Sequence, residues 1–244
     1  MKKNKKNFIS ETIKTITYAA IIAIFVRTVA FEPFNIPSKS MMSTLLVGDY
    51  LFVSKYSYGY SRYSLPLSLH LFNGRIFEKS PQRGDVSVFK IPSDDSIAYI
   101  KRVIGLPNDR IQIIHRVIYI NGEPIERKKI DDYIEYDNHN NVQTYNRYIE
   151  TLPNGKSYSV LEYLGAESQT DNTPEYIIPA NHYFMMGDNR NNSQDSRYLN
   201  VVGYIPGENM VGRAEFIFFS IKEFWKFWKL PLEIRWNRFF SKIH

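Results

Sequence analysis

The chain has 244 residues, a formal net charge of +6 and 43% hydrophobic residues. This length supports one large domain or two small ones with a sizeable core, and the hydrophobic fraction excludes an intrinsically disordered chain. Cysteine is absent, which excludes disulfides, a thiol nucleophile and cysteine-based zinc sites. The positive charge favours an anionic partner, either a phospholipid surface or a nucleic acid.

A basic N-terminal stretch precedes a long apolar segment. Residues 1–14 begin with a cluster of lysines, whereas residues 15–31 are mostly apolar. As a helix, the second range would be roughly 25 Å long at about 1.5 Å per residue, which is close to the minimum for crossing a bilayer. Because lysine-rich flanks stay in the cytoplasm, we predict a cytoplasmic N-terminus and an uncleaved single-pass anchor over 15–31. The alternatives are a cleaved secretory signal and a buried helix of a soluble protein.

Two serines lie two positions apart shortly after the apolar segment. Ser38 and Ser40 follow Pro37, which biases the preceding residue, Ile36, toward an extended backbone. We expect the two hydroxyls to lie close together at a turn, an arrangement that suits a nucleophile and a second hydroxyl donor. A Pro-Ser-rich stretch is also typical of an ordinary loop, so the pattern alone leaves both interpretations open.

Alternation of apolar and polar residues predicts a mainly β protein with a core in residues 32–125 and 182–220. The predicted elements are a strand over 45–55 with Gly48-Asp49 as a turn inside it, further strands over 84–90, 97–104, 183–187, 202–206 and 211–220, and a hairpin over 110–125 with Asn121-Gly122 as its turn. The segment 126–181 is richer in Asn, Asp, Tyr and Lys. We predict that it forms an inserted, polar β subdomain.

Two stretches carry apolar or aromatic residues outside these strands. In residues 64–72 they indicate either an exposed patch that meets a partner or a membrane, or a segment packed beneath the core. In the tail, residues 221–244, basic and large aromatic residues are interleaved. This pattern is typical of a membrane interface, and it also suits stacking on single-stranded nucleic acid. The predicted anchor favours the membrane, so we expect a membrane-proximal tail and no nucleic-acid partner.

Lys101 and Arg102 are neighbours in the strand predicted over 97–104. Their side chains point to opposite faces, so one basic group lies among apolar neighbours, and the spacing does not show which one. Tyr99 and Val103 share the face of Lys101. Desolvation by such neighbours would lower the pKa of the lysine from its ordinary value of about 10.4, and a neutral lysine can take the proton of a serine hydroxyl. The alternative is a solvated edge-strand lysine that prevents aggregation.

Three motifs follow the apolar segment in a fixed order. They are Ser38-Lys39-Ser40-Met41, Tyr99-Ile100-Lys101-Arg102-Val103-Ile104-Gly105-Leu106-Pro107 and Gly187-Asp188-Asn189-Arg190-Asn191-Asn192-Ser193-Gln194-Asp195-Ser196-Arg197. In that order they resemble the bacterial type I signal peptidases, or leader peptidases, which are membrane-anchored serine proteases with a Ser/Lys dyad. The resemblance extends from the apolar segment to about Phe219.

This resemblance implies a fold and an activity. The expected fold is mainly β, with a catalytic core of barrel-like sheets, an inserted β subdomain and one N-terminal transmembrane helix. Similar enzymes remove signal peptides from exported preproteins after small-x-small sites, typically Ala-x-Ala, at the outer (periplasmic) face of the bacterial inner, or cytoplasmic, membrane. Signal peptides and the phospholipid bilayer are therefore the expected partners, and no metal or other cofactor is expected.

The resemblance also implies catalytic roles. Ser40 matches the nucleophile and Lys101 matches the general base. Ser38 matches a hydroxyl that forms the oxyanion hole together with the backbone N–H of Ser40. Such donors typically contribute about 3 kcal/mol to the stability of the transition state.

Further residues match supporting and substrate-binding positions. Ser193 matches a hydroxyl that hydrogen-bonds the lysine and orients it, while Asp195 and Arg197 match a supporting charged pair. The positions that line the substrate pockets in this family match Ile36, Met41, Leu45, Tyr99 and Ile100. An extended peptide is expected to bind as an added strand along an open sheet edge, such as that of residues 34–38.

The chain departs from the usual family pattern at three positions. Lys39 stands where glycine is usual between the two serines, Ser43 stands where proline is usual, and Asn191 stands where aspartate is common. Lys39 places a cation beside the site, which would narrow the choice of substrate. For Asp188, Asn189 and Asn191 we predict an Asx-rich turn that satisfies its own backbone.

Two other classes of function compete with signal peptide removal. One is a different Ser/Lys peptidase, either a conjugation-type pilin-processing enzyme or a self-cleaving repressor, although a repressor would carry a DNA-binding domain instead of an anchor. The other is a catalytically silent, membrane-anchored β protein that binds secreted partners through its aromatic surface.

Overall fold

The computed structural model describes residues 2–136, 141–163, 165, 168–222 and 233–244. Helix α1 spans Lys2–Val29. Its part Ile9–Val29 is long and apolar enough to cross a membrane, and none of that part is buried against the protein. The apolar helix thus begins before residue 15, and it ends before residue 31 because the first strand starts there.

Strands are the main regular secondary structure of the remaining described residues. In chain order they are β1 (Phe31–Asn35), β2 (Asp49–Ser54), β3 (Val86–Ile91), β4 (Asp94–Gly105), β5 (Arg110–Ile114), β6 (Val117–Ile120), β7 (Glu123–Pro124), β8 (Glu126–Lys129), β9 (Tyr133–Tyr136), β10 (Val142–Thr151), β11 (Ser157–Tyr163), β12 (Tyr176–Ile177), β13 (His182–Met186), β14 (Ile205–Pro206) and β15 (Met210–Ser220). The prediction of a mainly β fold with one N-terminal apolar helix is confirmed.

The strands form three antiparallel sheets. A seven-stranded sheet has the order β1-β2-β15-β3-β4-β13-β14, and a four-stranded sheet has the order β12-β5-β6-β7. A third sheet has the order β11-β10-β8, with β9 pairing β10. The segment 126–181 therefore supplies all strands of the third sheet and also β12, which pairs with β5.

Two of the predicted elements differ in the structure, one through local hydrogen bonds and one through an additional turn. The strand predicted over 45–55 begins only at Asp49, because that residue closes a turn with Leu46 through backbone and side-chain bonds. The Asn121-Gly122 turn does form, but it joins β6 to β7. A further turn separates β5 from β6 at His115 and Arg116, which both have positive φ. Histidine adopts a left-handed backbone more often than most residues, but arginine does not, so the residue types alone did not mark this turn.

Apolar packing fixes the turn that carries the two serines. Met41 and Leu45 belong to a buried cluster with residues of the large sheet such as Leu51 and Val88. On the other side, Met42 packs with Tyr145 and Leu161 of the third sheet. The serine turn is therefore held between two sheets.

The C-terminal tail returns to the large sheet. Phe240 N–H donates to Ile217 O at 2.7 Å, and the Arg238 guanidinium binds the buried carboxylate of Asp49 at 2.6 Å. Trp236 and Phe240 remain 63% and 74% exposed. The basic-aromatic motif over 224–229 lies outside the described residues.

Candidate active site

The two serines occupy one tight turn. Residues Lys39–Met41 form a single 3-10 turn, and Ser38 precedes it in an extended conformation with φ −130° and ψ 160°. This geometry brings Ser38 Oγ to 3.3 Å from Ser40 Oγ. Ser40 is buried whereas Ser38 is exposed. Ser40 is fixed from behind, since its carbonyl accepts a hydrogen bond from the N–H of Asn189 at 3.1 Å.

A lysine from the large sheet reaches Ser40. Lys101 lies on β4 and is only 4% exposed. Its Nζ donates to Ser40 Oγ at 2.6 Å and to the carbonyl oxygen of Ile100 at 3.0 Å. Arg102 points to the opposite face, so the strand places Lys101, and not its neighbour, beside the serine.

Burial makes a neutral Lys101 accessible near neutral pH. Desolvation lowers its pKa from 10.5 to about 8, although the negative charges of Asp195 and Asp188 oppose this shift. The Tyr99 ring centroid lies 5.5 Å from Nζ, in agreement with the expectation that Tyr99 helps to exclude water. A neutral amine 2.6 Å from a hydroxyl can accept its proton.

Ser193, Asp195 and Arg197 form a connected group next to this pair. Ser193 Oγ donates to Asp195 Oδ2 at 2.7 Å, and Arg197 Nε donates to Asp195 Oδ1 at 2.8 Å. Burial alone would raise the pKa of Asp195, but the charge and hydrogen bonds of Arg197 lower it below its ordinary value. No described hydrogen bond joins Ser193 to Lys101, since the Ser193 hydroxyl donates to Asp195, and its orienting role stays a prediction.

The prediction that Asp188 only satisfies a local turn is wrong. Its carboxylate accepts from Arg102 Nε at 2.9 Å and from Arg102 Nη2 at 2.7 Å, and Thr44 Oγ1 also donates to it. Asn191 likewise reaches outside its turn, since its Oδ1 accepts from the N–H of Tyr163. These bonds tie the 187–197 loop to β4, to the serine turn and to β11. Sequence reasoning missed them because their partners are distant along the chain.

A cleft of about 610 Å³ opens onto this constellation. Its lining residues are Pro37, Ser38, Lys39, Ser40, Ile97, Ala98, Tyr99, Ile100, Lys101, Asn191, Asn192, Ser193, Gln194 and Tyr198. Tyr99 and Ile100 therefore border the cleft. Ile36, Met41 and Leu45 are instead buried in the core cluster against which Ile100 packs, and their contact with a substrate stays a prediction.

The strands beside the cleft leave backbone groups available. Within the described residues, β13 pairs with β4 over 102–105, so the 97–101 part of β4 is paired on one side, with β3. Strand β1 ends the large sheet and leads into Pro37 and Ser38. The cleft thus lies between the free edge of this part of β4 and the chain that follows β1. The described residues contain no group of three or more His, Asp or Glu placed to hold a metal ion.

Comparison with known proteins identifies the family. The family model described as "Signal peptidase, peptidase S26" matches residues 9–219. The chain is 43% identical over 229 residues to Signal peptidase I of Rickettsia prowazekii, covering 91% of this chain and 84% of that protein. It is 44% identical over 224 residues to Signal peptidase I of Rickettsia typhi, covering 89% and 83%.

A solved signal peptidase I from Enterococcus faecalis V583 matches with 27% identity and a TM-score of 0.32, covering 55% of this chain and 97% of that chain. The family model covers most of this chain. The two Rickettsia proteins match 91% and 89% of this chain. This chain belongs to the signal peptidase family, peptidase S26.

Proposed function

We propose that this protein is a membrane-anchored serine endopeptidase that removes signal peptides from exported preproteins, with Ser40 as nucleophile and Lys101 as general base. Membership of the signal peptidase family supports the serine endopeptidase activity. The observation that carries the assignment of the dyad is the 2.6 Å distance between Lys101 Nζ and Ser40 Oγ. The burial that lowers the pKa of Lys101 supplies the neutral amine that the reaction needs.

The reaction proceeds in two steps at the same pair of residues. Ser40 Oγ attacks the scissile carbonyl carbon while Lys101 takes its proton, and the ammonium then passes that proton to the departing amine. The signal peptide remains as an ester on Ser40. Neutral Lys101 next takes a proton from a water molecule that attacks the ester, and the proton returns to Ser40 Oγ as the acid is released. Ser38 Oγ and the Ser40 N–H stabilise the oxyanion in both steps.

We propose that the cleft binds an extended peptide with small side chains. The edge of β4 over 97–101 that faces away from β3 and the chain around Pro37 offer backbone groups on both sides of the cleft. An added strand can bind to such edges. The side chains that border this groove include Ala98, Tyr99 and Ile100, which present an apolar wall close to Ser40. We therefore expect cleavage after small-x-small sites such as Ala-x-Ala.

We propose that the N-terminal helix anchors the protein and holds the site near the membrane surface. Ile9–Val29 would span the bilayer, with the N-terminal lysines in the cytoplasm and the catalytic residues on the outer side. Leu71, Phe77, Trp236 and Phe240 are each more than 60% exposed, and apolar and aromatic side chains of this kind suit the interface of a bilayer.

Precursor cleavage tests the catalytic assignment. The full chain in detergent is incubated with a precursor that carries an Ala-x-Ala site, and the new N-terminus is identified by mass spectrometry. We expect the wild type to cut after the second alanine, and the folded variants Ser40→Ala and Lys101→Ala to lose cleavage. Lys90→Ala is the control, because Lys90 lies half-buried on the neighbouring strand β3 and donates to Ser96 O.

Three outcomes would overturn parts of this proposal. Cleavage by Lys101→Ala at a rate close to that of the wild type would mean that another residue is the base. Cleavage at other sites would refute the proposed specificity. A folded wild type that cuts no such precursor would favour a membrane-anchored protein that binds secreted partners.

Labelling tests the orientation, and the absence of cysteine makes single-cysteine variants possible. In intact spheroplasts, a membrane-impermeant maleimide should label Ser93→Cys, because residue 93 is exposed in the proposed outer domain. Asn4→Cys should react only after the membrane is permeabilised. The opposite pattern would refute the proposed topology.

A further inference from the structure

Lys39 is a charged residue of the cleft that the proposed reaction does not use. It lies between Ser38 and Ser40, and its side chain is 45% exposed. Its Nζ is 2.8 Å from Glu135 Oε1 on strand β9. Strand β9 of the third sheet therefore places the Glu135 carboxylate next to Lys39, the basic residue adjacent to Ser40 in sequence.

The charged side chains in the described lining of the cleft are all basic. Among the described residues that line it, Lys39 and Lys101 are basic and none is acidic. Lys101 is buried and binds Ser40, whereas Lys39 keeps contact with solvent. Lys39 is consequently the lining charge that a substrate side chain can reach.

The two members of this ion pair differ in exposure and in hydrogen bonding. Glu135 is 21% exposed, and its Oε2 accepts a hydrogen bond from Tyr145 OH at 3.1 Å. Tyr145 is itself 1% exposed, so the carboxylate is held from behind. Lys39 has a flexible stem, and an ion pair that is exposed on one side contributes little stability. The ammonium can therefore leave Glu135 for another carboxylate without a large cost.

We propose that Lys39 is a specificity-determining residue that binds an acidic side chain of the substrate close to the scissile bond, and that Glu135 weakens this preference by competing for the same ammonium. The proposal rests on the proposed function, since it concerns the peptide that occupies the same cleft. It assigns to the inserted segment a part in substrate choice, because Glu135 belongs to that segment.

Matched peptides and two opposite variants test this proposal. Fluorogenic Ala-x-Ala peptides carry Asp, Asn or Lys at one position, scanned from three residues before the scissile bond to three residues after it. The full chain in detergent gives kcat/KM for each peptide. At the position that meets Lys39, the wild type should prefer Asp over Asn by about threefold, which is the range of an exposed ion pair.

The variants should shift this ratio in opposite directions. Lys39→Met removes the charge but keeps an unbranched side chain, and it should bring the Asp/Asn ratio to about one, whereas Lys39→Arg should retain the preference. Glu135→Gln is isosteric and frees the ammonium, so it should raise the ratio above that of the wild type and lower kcat/KM for the Lys peptide. The preference should fade at 1 M salt because exposed charges are screened.

Two results would overturn the proposal. One is an Asp/Asn ratio that is the same in the wild type, Lys39→Met and Glu135→Gln at every scanned position. The other is a uniform change of kcat for all peptides in both variants, which would make the ion pair only a structural tie. Failure of the wild type to cut any peptide would instead count against the proposed function.

Discussion

Arg102 and Asp188 form a bidentate ion pair in which each side chain is 1% exposed. Arg102 is the neighbour of Lys101 on β4, and Asp188 lies in the loop that carries Ser193. The Arg102 guanidinium also stacks over the Tyr158 ring, with 4.2 Å between its central carbon and the ring centroid. This pair therefore joins the strand of the proposed base to the loop beside it.

Breaking this pair should destabilise the protein strongly. Asp188→Asn leaves the Arg102 charge buried without a counter-charge, and such a loss typically costs about 3–5 kcal/mol. We expect a fall of that size in the free energy of unfolding, measured by urea denaturation in mild detergent. The control is Asp95→Asn, because Asp95 pairs with Arg62 at the surface and its loss should cost less than about 1 kcal/mol. Equal effects of the two variants would contradict this account of the buried pair.

Gly187 is needed where the loop approaches the nucleophile. A Cβ at this position would overlap the Ser193 side chain and lie 2.5 Å from the carbonyl oxygen of Ser40. Gly187→Ala should therefore displace the serine turn and reduce kcat/KM by more than tenfold. Gly105→Ala is the matched control, because its Cβ would meet Ile178 and Phe184 in the core. If Gly105→Ala lowers activity as much at equal stability, the effect at Gly187 does not arise from the site.

Removing the Ser38 hydroxyl should affect the transition state more than substrate binding. Ser38→Ala deletes the proposed donor to the oxyanion, and the loss of one such donor typically lowers kcat by about 100- to 1000-fold. We expect KM to stay within about twofold of the wild type, since the ground-state carbonyl does not need this bond. Ser38→Thr keeps a hydroxyl and should recover part of kcat. An unchanged kcat in Ser38→Ala would show that Ser38 does not contribute to the oxyanion hole.

The buried Lys101 should reduce stability at neutral pH. Its pKa is about 8 in the folded protein and 10.5 ordinarily, so the unfolded chain binds more protons between these values. Protonation of Lys101 therefore favours the unfolded state. The free energy of unfolding is highest above pH 10.5 and decreases as the pH falls to about 8.

A substitution of the same residue measures this cost. Lys101→Met removes the ionisable group and should raise the free energy of unfolding by about 3 kcal/mol at pH 7, with each pKa unit counted as about 1.4 kcal/mol. The difference from the wild type should shrink as the pH approaches 10.5. A variant that is less stable than the wild type at pH 7 would show that the lysine is not desolvated in this way.

The sequence allowed the prediction of the site's chemistry but not of its packing. The three motifs are local, so their resemblance to a known family was enough to name Ser40, Lys101 and Ser193, and all three line one cleft. Strand alternation could not show whether Lys101 or Arg102 faces the serine. Both side chains are buried, and the two faces of the strand differ only in the residues packed against them. The fold decides it, since Ser40 lies on one face and Asp188 on the other.

Long-range pairing was the part that residue patterns did not reveal. The bonds of Asp188 connect residues 86 and 144 positions apart, and no spacing rule links positions so distant. Ile36, Met41 and Leu45 were expected at the substrate, and the fold places them in the buried cluster beside the serine turn, so their contact with a substrate stays a prediction. Lys39 was visible as a cation beside the site, whereas nothing in the sequence linked it to Glu135 in the inserted segment.

The pH dependence of cleavage tests the central claim most directly, namely that neutral Lys101 is the base for Ser40. We would measure kcat/KM for an Ala-x-Ala peptide between pH 6 and pH 10 in a constant ionic strength. The desolvated lysine predicts a rise of about tenfold per pH unit at low pH and a plateau above about pH 8. A value of kcat/KM that stays constant from pH 6 to pH 9 would contradict the claim, because no group with the pKa of Lys101 would then need to lose its proton.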